Sequence, residues 1–267
     1  MAIATRELTD ELARIWGAAP QQAIAETSAA AYDHLLARLP VEQPGEEWVD
    51  IATGTGPLAI RAARAGASVN AIDIAPELLD IGRALAAEAD VSVLFDRRRA
   101  ERHNYVPDTV QVVATAFGAM YALEPVKVAA QMASIVRPGG RIGLISWTPD
   151  SWVADTFRLS ERFPSGNWWH GPDPFDWGTE PFATELFGDR FALDFKWGDV
   201  PLVARSGEAA WELFVANDGP TRSVFERLGN DDRAGYRAAF VDLAERHRGG
   251  DQVVLPRPYL LVTGRRR

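Results

Sequence analysis

The chain has 267 residues, a formal net charge of −9 and no cysteine. This length suits one large α/β domain with a sizeable core. The lack of cysteine excludes disulfides, thiolate metal sites and cysteine nucleophiles. The acidic charge disfavours nucleic acid as a partner. The N-terminus shows no apolar signal segment, and no apolar run is long enough for a membrane span. We therefore expect a cytoplasmic protein that binds neither nucleic acid nor membrane.

The first part of the chain is predicted to be helical. Apolar residues recur at helical spacing over residues 6–38, and Pro20 divides this pattern into two predicted helices. A polar loop follows, from Pro40 to Glu47.

Strands and helices alternate in the next hundred residues, which favours a parallel, doubly wound sheet. Helices are predicted at 57–65, 76–89 and 125–136. Predicted strands cover residues 47–52, 68–73, 91–95, 110–116 and 141–147.

The pattern is weaker after Pro149. Residues 164–178 are irregular and rich in proline, glycine and tryptophan. The remaining predicted elements are helices at 151–163, 181–187, 206–216 and 231–248, a strand at 191–197, and a closing strand over 252–262 that two prolines interrupt.

A glycine-rich turn joins the first predicted strand to a helix, in the sequence V-D-I-A-T-G-T-G from Val49 to Gly56. Glycine lets the backbone approach a ligand closely, and the helix N-terminus beyond it offers free N–H groups. The spacing fits neither the G-x-G-x-x-G fingerprint nor a phosphate loop. The turn therefore predicts a nucleoside-type site of another kind, with a purely structural glycine turn as the alternative.

Asp73 ends the next predicted strand and can serve two purposes. A carboxylate at this strand end can accept hydrogen bonds from both hydroxyls of a ribose. Alternatively, it caps the helix that begins at Pro76. Its position after this glycine turn favours the ribose interpretation.

Three segments resemble the class I S-adenosylmethionine (SAM)-dependent methyltransferases. V-D-I-A-T-G-T-G resembles motif I of that family, A-I-D-I-A-P-E-L-L resembles the segment after it, and R-P-G-G-R-I-G-L-I-S-W resembles the segment that leads into the fifth strand. The chain is most similar to the branch related to the ubiquinone/menaquinone C-methyltransferases, which have a type 11 methyltransferase domain. The resemblance covers residues 47–150 well.

The resemblance implies an α/β fold with a doubly wound, Rossmann-like sheet of seven strands, the last of them antiparallel. It implies one domain with an N-terminal helical cap (1–46), a cofactor-binding core (47–150), and an acceptor-side insert with closing strands (151–267). N-terminal helices and an aromatic-rich insert after strand five belong to this picture.

SAM is the cofactor that the resemblance implies, with S-adenosylhomocysteine as the product. By position, its methionine part would lie beside Asp50, Ala52, Gly54 and Gly56. Its ribose would lie beside Asp73 and Ile74, and its adenine beside Ala100 and Glu101. The site would be closed at the end of strand four by Thr115, Ala116 and Phe117.

Two residues depart from the family pattern. Ala52 stands where the family usually has its first glycine. Arg99 takes the place of the aspartate that usually accepts from the adenine amino group, and arginine cannot accept a hydrogen bond. Asp96 or water would have to replace that acceptor, or cofactor affinity is reduced.

The acceptor is expected to be a small, apolar or aromatic molecule, because the insert after strand five is rich in aromatic residues. Tyr121, Trp147, Trp168 and Trp169 are its candidate contacts, with a plain aromatic core as the alternative. His170 is the candidate base, and no residue spacing predicts a metal site.

The sequence thus predicts a methyltransferase acting on an O, N or C atom in secondary or quinone metabolism. The alternatives are a SAM-binding cyclase or isomerase of the same fold, and a degenerate scaffold protein. We expect a monomer or a homodimer.

Overall fold

A computed structural model of the protein describes residues 2–163 and 166–267. In these ranges the α-helices are α1 (Ala2–Trp16), α2 (Gln22–Glu26), α3 (Ala29–Arg38), α4 (Pro57–Arg64), α5 (Pro76–Glu88), α6 (Pro125–Ile135), α7 (Trp152–Glu161), α8 (Glu180–Phe187), α9 (Gly207–Asn217), α10 (Gly219–Arg227) and α11 (Asn230–Glu245). The strands are β1 (Glu47–Ile51), β2 (Ser68–Asp73), β3 (Val93–Arg97), β4 (Val110–Ala116), β5 (Val136–Trp147), β6 (Phe191–Asp199), β7 (Leu202–Ala204), β8 (Arg248–Gly249), β9 (Gln252–Leu255) and β10 (Pro258–Arg266).

Seven of the strands form one sheet in the order β3-β2-β1-β4-β5-β10-β6. The strands from β3 to β5 run parallel, whereas β10 is antiparallel to both β5 and β6. Strands β1 and β4 are apolar over most of their length because helices cover both faces of the parallel part of a doubly wound sheet. The predicted α/β fold with a seven-stranded Rossmann-like sheet is therefore confirmed.

The start of the third strand and the number of N-terminal helices differ from the prediction. The third strand begins at Val93 rather than residue 91, because the N–H of Val91 closes the end of α5 by donating to the carbonyl of Ala86. Residues 6–38 contain parts of three helices rather than two. The second break falls after α2, where Thr27 ends the helix.

The predicted closing strand is two strands in two different sheets. Strand β9 lies between β7 and β8 in a small antiparallel sheet, whereas β10 belongs to the central sheet. Pro256 and Pro258 flank the break, and proline donates no hydrogen bond to a ladder. Helix α10 was also missed, although Pro220 in its first turn is a recognised start signal.

Buried apolar side chains form two clusters. The first cluster packs on the faces of the central sheet and includes Trp147. The second cluster lies among α1, α7, α9, α10 and α11, and its members include Trp152, Trp211, Tyr236 and Phe240. Among the described helices, none combines the length and apolar composition that crossing a bilayer requires.

Candidate functional site

The carboxyl ends of β1, β2, β4 and β5 meet at one edge of the central sheet, where ligands bind in open α/β folds. A cavity of about 230 Å³ opens at this edge. Residues of both apolar clusters contribute to its wall, including Phe117 from the sheet side and Phe214 from the helical side. The cavity therefore joins the predicted cofactor site to the helices of the C-terminal part.

The glycine-rich turn forms the floor of the cavity near β1. Gly54 and Gly56 have positive φ angles of 57° and 79°, a conformation that glycine adopts without strain. A side chain at Gly56 would lie 2.8 Å from the ring of Phe95, so this glycine serves internal packing. At Gly54 a side chain would meet only Gln21, at 3.9 Å, and Gly54 lines the cavity. Gly54 thus leaves the space that a bound ligand needs.

Asp73 holds the turn and also faces the cavity. Its Oδ2 accepts from the backbone N–H of Gly54 at 2.8 Å, and its Oδ1 accepts from that of Ala75 at 2.9 Å. Burial raises the pKa of this carboxyl group. Each carboxylate oxygen can accept more than one hydrogen bond. Asp73 therefore keeps acceptor capacity toward the cavity.

Asp50 lies beneath the turn and does not line the cavity. Its Oδ2 accepts from the hydroxyl of Thr53 at 2.6 Å, while no described group donates to its buried Oδ1. Burial raises the pKa of Asp50 to about 7. The two neighbouring carboxyl groups, Asp50 and Asp73, make this corner suitable for a ligand that carries positive charge.

The loop after β3 provides the third wall. Ala100 and the largely buried Glu101 line the cavity, and Ile74 lies in the same wall. Arg99 does not line it, since its Nε lies 3.5 Å from the carboxylate of Glu101. Arg98 lines the cavity instead, with its Nε 2.6 Å from the carboxylate of Asp96. Glu101 thus provides an acceptor on the side of the cavity where Arg99 was expected to remove one.

The end of β4 bends under the cavity. Thr115 is buried and accepts from the N–H of Ala119 at 3.1 Å, which fixes the loop. Ala116 and Phe117 line the cavity, and Phe117 has a positive φ of 62°, rare for an aromatic residue. Its ring stacks on Trp147 with 3.7 Å between centroids.

The remaining wall is aromatic. Tyr121 and Trp168 both line the cavity, and the ring of Trp16 packs against Tyr121 with 4.7 Å between centroids. Trp169 is buried behind them, and its Nε1 donates to the carbonyl of Pro172 at 2.7 Å. We name this wall the aromatic half of the cavity, formed by Trp16, Tyr121, Phe157, Trp168, Phe214 and Tyr236.

His170 is not brought to the cavity. Its side chain is exposed and lines a separate shallow depression beside Leu8 and Leu123. Trp168 is buried and lines the main cavity, whereas His170 is exposed and does not. The geometry therefore gives no support to His170 as the base, although its neighbour Trp168 is well placed.

Sequence reasoning missed several polar residues in the cavity wall, and three of them come from distant parts of the chain. Tyr32 comes from α3, Asp218 precedes α10, and Arg257 lies between β9 and β10. Only Asp218 had a local signal, since it precedes Gly219-Pro220 and caps the helix that begins there. Nothing in the sequence connects the other two with the glycine turn.

Arg257 is fully buried and fastens the N-terminal helices to the sheet edge. Its guanidinium donates to the carbonyl of Val200 and to both oxygens of Thr27, at 2.8–2.9 Å. The guanidinium carbon also lies 5.5 Å from the centroid of the Trp147 ring. Burial lowers its pKa to about 10, so it stays charged at neutral pH.

Comparison with known proteins agrees with this geometry. Residues 49–140 match the family model described as a methyltransferase domain. An uncharacterized protein of Mycobacterium tuberculosis is 27% identical over 263 residues, which cover 95% of this chain and 93% of the relative.

Two further comparisons bear on family and fold. A ubiquinone biosynthesis O-methyltransferase of Aeromonas salmonicida is 35% identical over 99 residues, covering 37% of this chain and 42% of that relative. The crystal structure of YcgJ from Bacillus subtilis superposes with a TM-score of 0.61 at 15% identity, covering 91% of this chain and 99% of that chain. The methyltransferase domain at residues 49–140 and these similarities support a class I SAM-dependent methyltransferase, with SAM as the cofactor.

Proposed function

We propose that the protein transfers the methyl group of SAM to an O, N or C atom of a small, apolar or aromatic molecule. One observation carries this proposal, namely that Gly54, Asp73 and Glu101 line the same cavity as the aromatic half. Methyl transfer requires the acceptor atom to lie in line with the methyl group and the sulfur, with water excluded. A continuous, largely apolar cavity meets both conditions.

The residues present fit the cofactor. Asp73 offers acceptors to the ribose hydroxyls, Glu101 offers one to the adenine amino group, and Gly54 leaves room for the methionine part. The unpartnered Oδ1 of Asp50 adds negative potential beside the turn. When bound, SAM supplies an electrophilic methyl group on a positively charged sulfur.

The protein's own residues then provide orientation and enclosure. The stacked rings of Phe117 and Trp147 lie at the ends of β4 and β5 and line the cavity. Aromatic faces stabilise a nearby cation by roughly 0.5–2 kcal/mol. We assign these rings to the region of the sulfonium, and Tyr121 with Trp168 to the acceptor.

Calorimetric titration of the protein with SAM and with S-adenosylhomocysteine tests the cofactor part of this proposal. Both should bind with micromolar affinity, and Glu101→Gln should weaken both because the amide keeps only one acceptor oxygen. A properly folded protein that binds neither compound would contradict the proposal and favour the degenerate scaffold alternative.

Turnover distinguishes methyl transfer from the cyclase or isomerase alternative. Incubation with methyl-labelled SAM and a panel of phenols, amines and quinols should release S-adenosylhomocysteine and place the label on the acceptor. Tight SAM binding with conversion of an acceptor, but without loss of the methyl group, would instead favour a non-methylating enzyme.

A further inference from the structure

Asp218 presents a carboxylate to the aromatic half of the cavity. It lies between α9 and α10, and its Oδ2 accepts from both the N–H and the hydroxyl of Thr221, at 2.9 and 2.7 Å. In the described part of the chain, no group donates to Oδ1 and no basic side chain forms an ion pair with Asp218. One carboxylate oxygen therefore remains for a molecule in the cavity.

The surroundings of Asp218 are aromatic and almost uncharged. Burial raises the pKa of its carboxyl group, and its negative charge adds to the rise that burial causes in the pKa of Tyr121 and of Tyr236. Asp173 is the other acidic residue whose charge reaches Tyr121. Arg222, on the same helix, donates its guanidinium hydrogens to three backbone carbonyls rather than to Asp218.

A carboxylate in such a wall can bind a cationic or a neutral ligand. The positive charge of the bound cofactor favours the neutral one. A cationic acceptor beside a positively charged sulfonium is repelled, and a protonated amine has no lone pair to receive a methyl group. A neutral hydroxyl keeps its lone pairs and can donate its hydrogen to the carboxylate. The aromatic walls favour a flat ring as its carrier.

Resting on the methyl transfer proposed above, we propose that Asp218 binds the hydroxyl of a neutral aromatic acceptor and takes its proton during methylation. The acceptor oxygen forms the new O–CH₃ bond with one of its lone pairs. The S–CH₃ bond breaks, and its electron pair returns to sulfur. The hydroxyl proton passes to Oδ1 of Asp218, so that the positive charge lost from sulfur is balanced by neutralisation of the carboxylate.

The contact can be tested without knowledge of the natural acceptor. The probes are 2-naphthol and 2-methoxynaphthalene, which have nearly the same shape but differ in the hydroxyl hydrogen. Binding is followed by quenching of tryptophan fluorescence in protein saturated with S-adenosylhomocysteine. The wild type should bind 2-naphthol about tenfold more tightly or better, because a hydrogen bond to an ionised acceptor is worth about 1.5–3 kcal/mol.

The variant Asp218→Asn removes the charge and preserves the helix cap, since asparagine caps helices as well as aspartate does. It should lose most of the preference for 2-naphthol. In the wild type the absorbance of bound 2-naphthol should also show that it ionises at higher pH than free 2-naphthol, because the carboxylate opposes a naphtholate. In Asp218→Asn this shift should become smaller, because only burial then opposes the naphtholate.

Asp176→Asn is the matched control, because Asp176 also has a raised pKa but lies exposed outside the cavity. It should behave as the wild type. Equal binding of the two probes to the wild type, binding of neither, or an unchanged preference in Asp218→Asn would overturn the role of Asp218. Failure of the wild type to bind S-adenosylhomocysteine would instead contradict the proposed function, so the two failures are separate.

Discussion

Replacing Asp73 with alanine tests the cofactor site most directly. The carboxylate is fixed by the backbone N–H groups of Gly54 and Ala75, so it is oriented before any ligand arrives. A charge-assisted hydrogen bond to a ribose hydroxyl is worth about 1.5–3 kcal/mol, and each 1.4 kcal/mol is a factor of ten in affinity. We therefore expect Asp73→Ala to weaken the binding of SAM and S-adenosylhomocysteine by about 10- to 100-fold.

Isothermal titration calorimetry measures this change, and thermal unfolding shows whether the variant is folded. Asp73→Asn should fall between the wild type and Asp73→Ala, since its amide keeps one acceptor oxygen. Asp80→Asn, an exposed change on α5, is the control and should bind as the wild type does. Because burial raises the pKa of Asp73, wild-type affinity should also fall as pH drops through that pKa. Unchanged affinity in folded Asp73→Ala would refute the ribose assignment.

Three further changes act on stability and are measured by urea unfolding. Ala52→Gly should raise the unfolding free energy by about 1 kcal/mol, because Ala52 has a φ of 54° that costs any residue with a side chain; a loss of stability would show that the methyl group packs favourably. Arg257→Lys should cost about 2–3 kcal/mol, since one ammonium cannot reach Val200 and both oxygens of Thr27; an unchanged midpoint would contradict this. Asp50 has its pKa raised from 3.8 to about 7 in the folded state, so its protonation stabilises the fold at low pH. That stability is lost as pH rises between about 4 and about 7, and Asp50→Asn should abolish this part of the pH dependence; a parallel pH profile in the variant would argue against it.

The raised pKa of Asp50 also bears on the cofactor site. A group that titrates near neutral pH changes the potential beside the glycine turn from about neutral to negative. Two carboxylates in one corner attract a cationic ligand most strongly when both are ionised. Cofactor affinity and protein stability are therefore expected to respond to pH in opposite directions over this range.

The glycine turn at the candidate cofactor site was predictable because its residues follow one another in the sequence. A strand, a glycine turn and a helix N-terminus follow one another from Val49 to Pro57, and the periodicity of each is set by its own residues. Asp73 was found in the same way, since the end of a parallel strand fixes which edge of the sheet it reaches. The seven strands and the antiparallel last strand followed from the family resemblance, whereas the order of the strands in the sheet came only from the structure.

The aromatic half of the cavity was not predictable in this way, because it is formed by contacts between distant parts of the chain. Asp218 faces Tyr121 only because α10 packs against the end of α1, where Gly219 approaches the backbone carbonyl of Trp16. His170 was the more attractive base from its residue type, yet its exposed side chain lies outside the cavity. No local pattern reports such an orientation, because it is set by which neighbours bury each face of a loop.

The two departures from the family pattern also separate what the sequence shows from what only the structure shows. The sequence alone revealed that Ala52 and Arg99 replace the usual residues, but not what the replacements cost. The structure places Ala52 in a left-handed conformation and turns Arg99 toward Glu101, which itself lines the cavity. The sequence gives the identity of each residue, whereas packing across the whole fold determines its backbone conformation and the direction of its side chain.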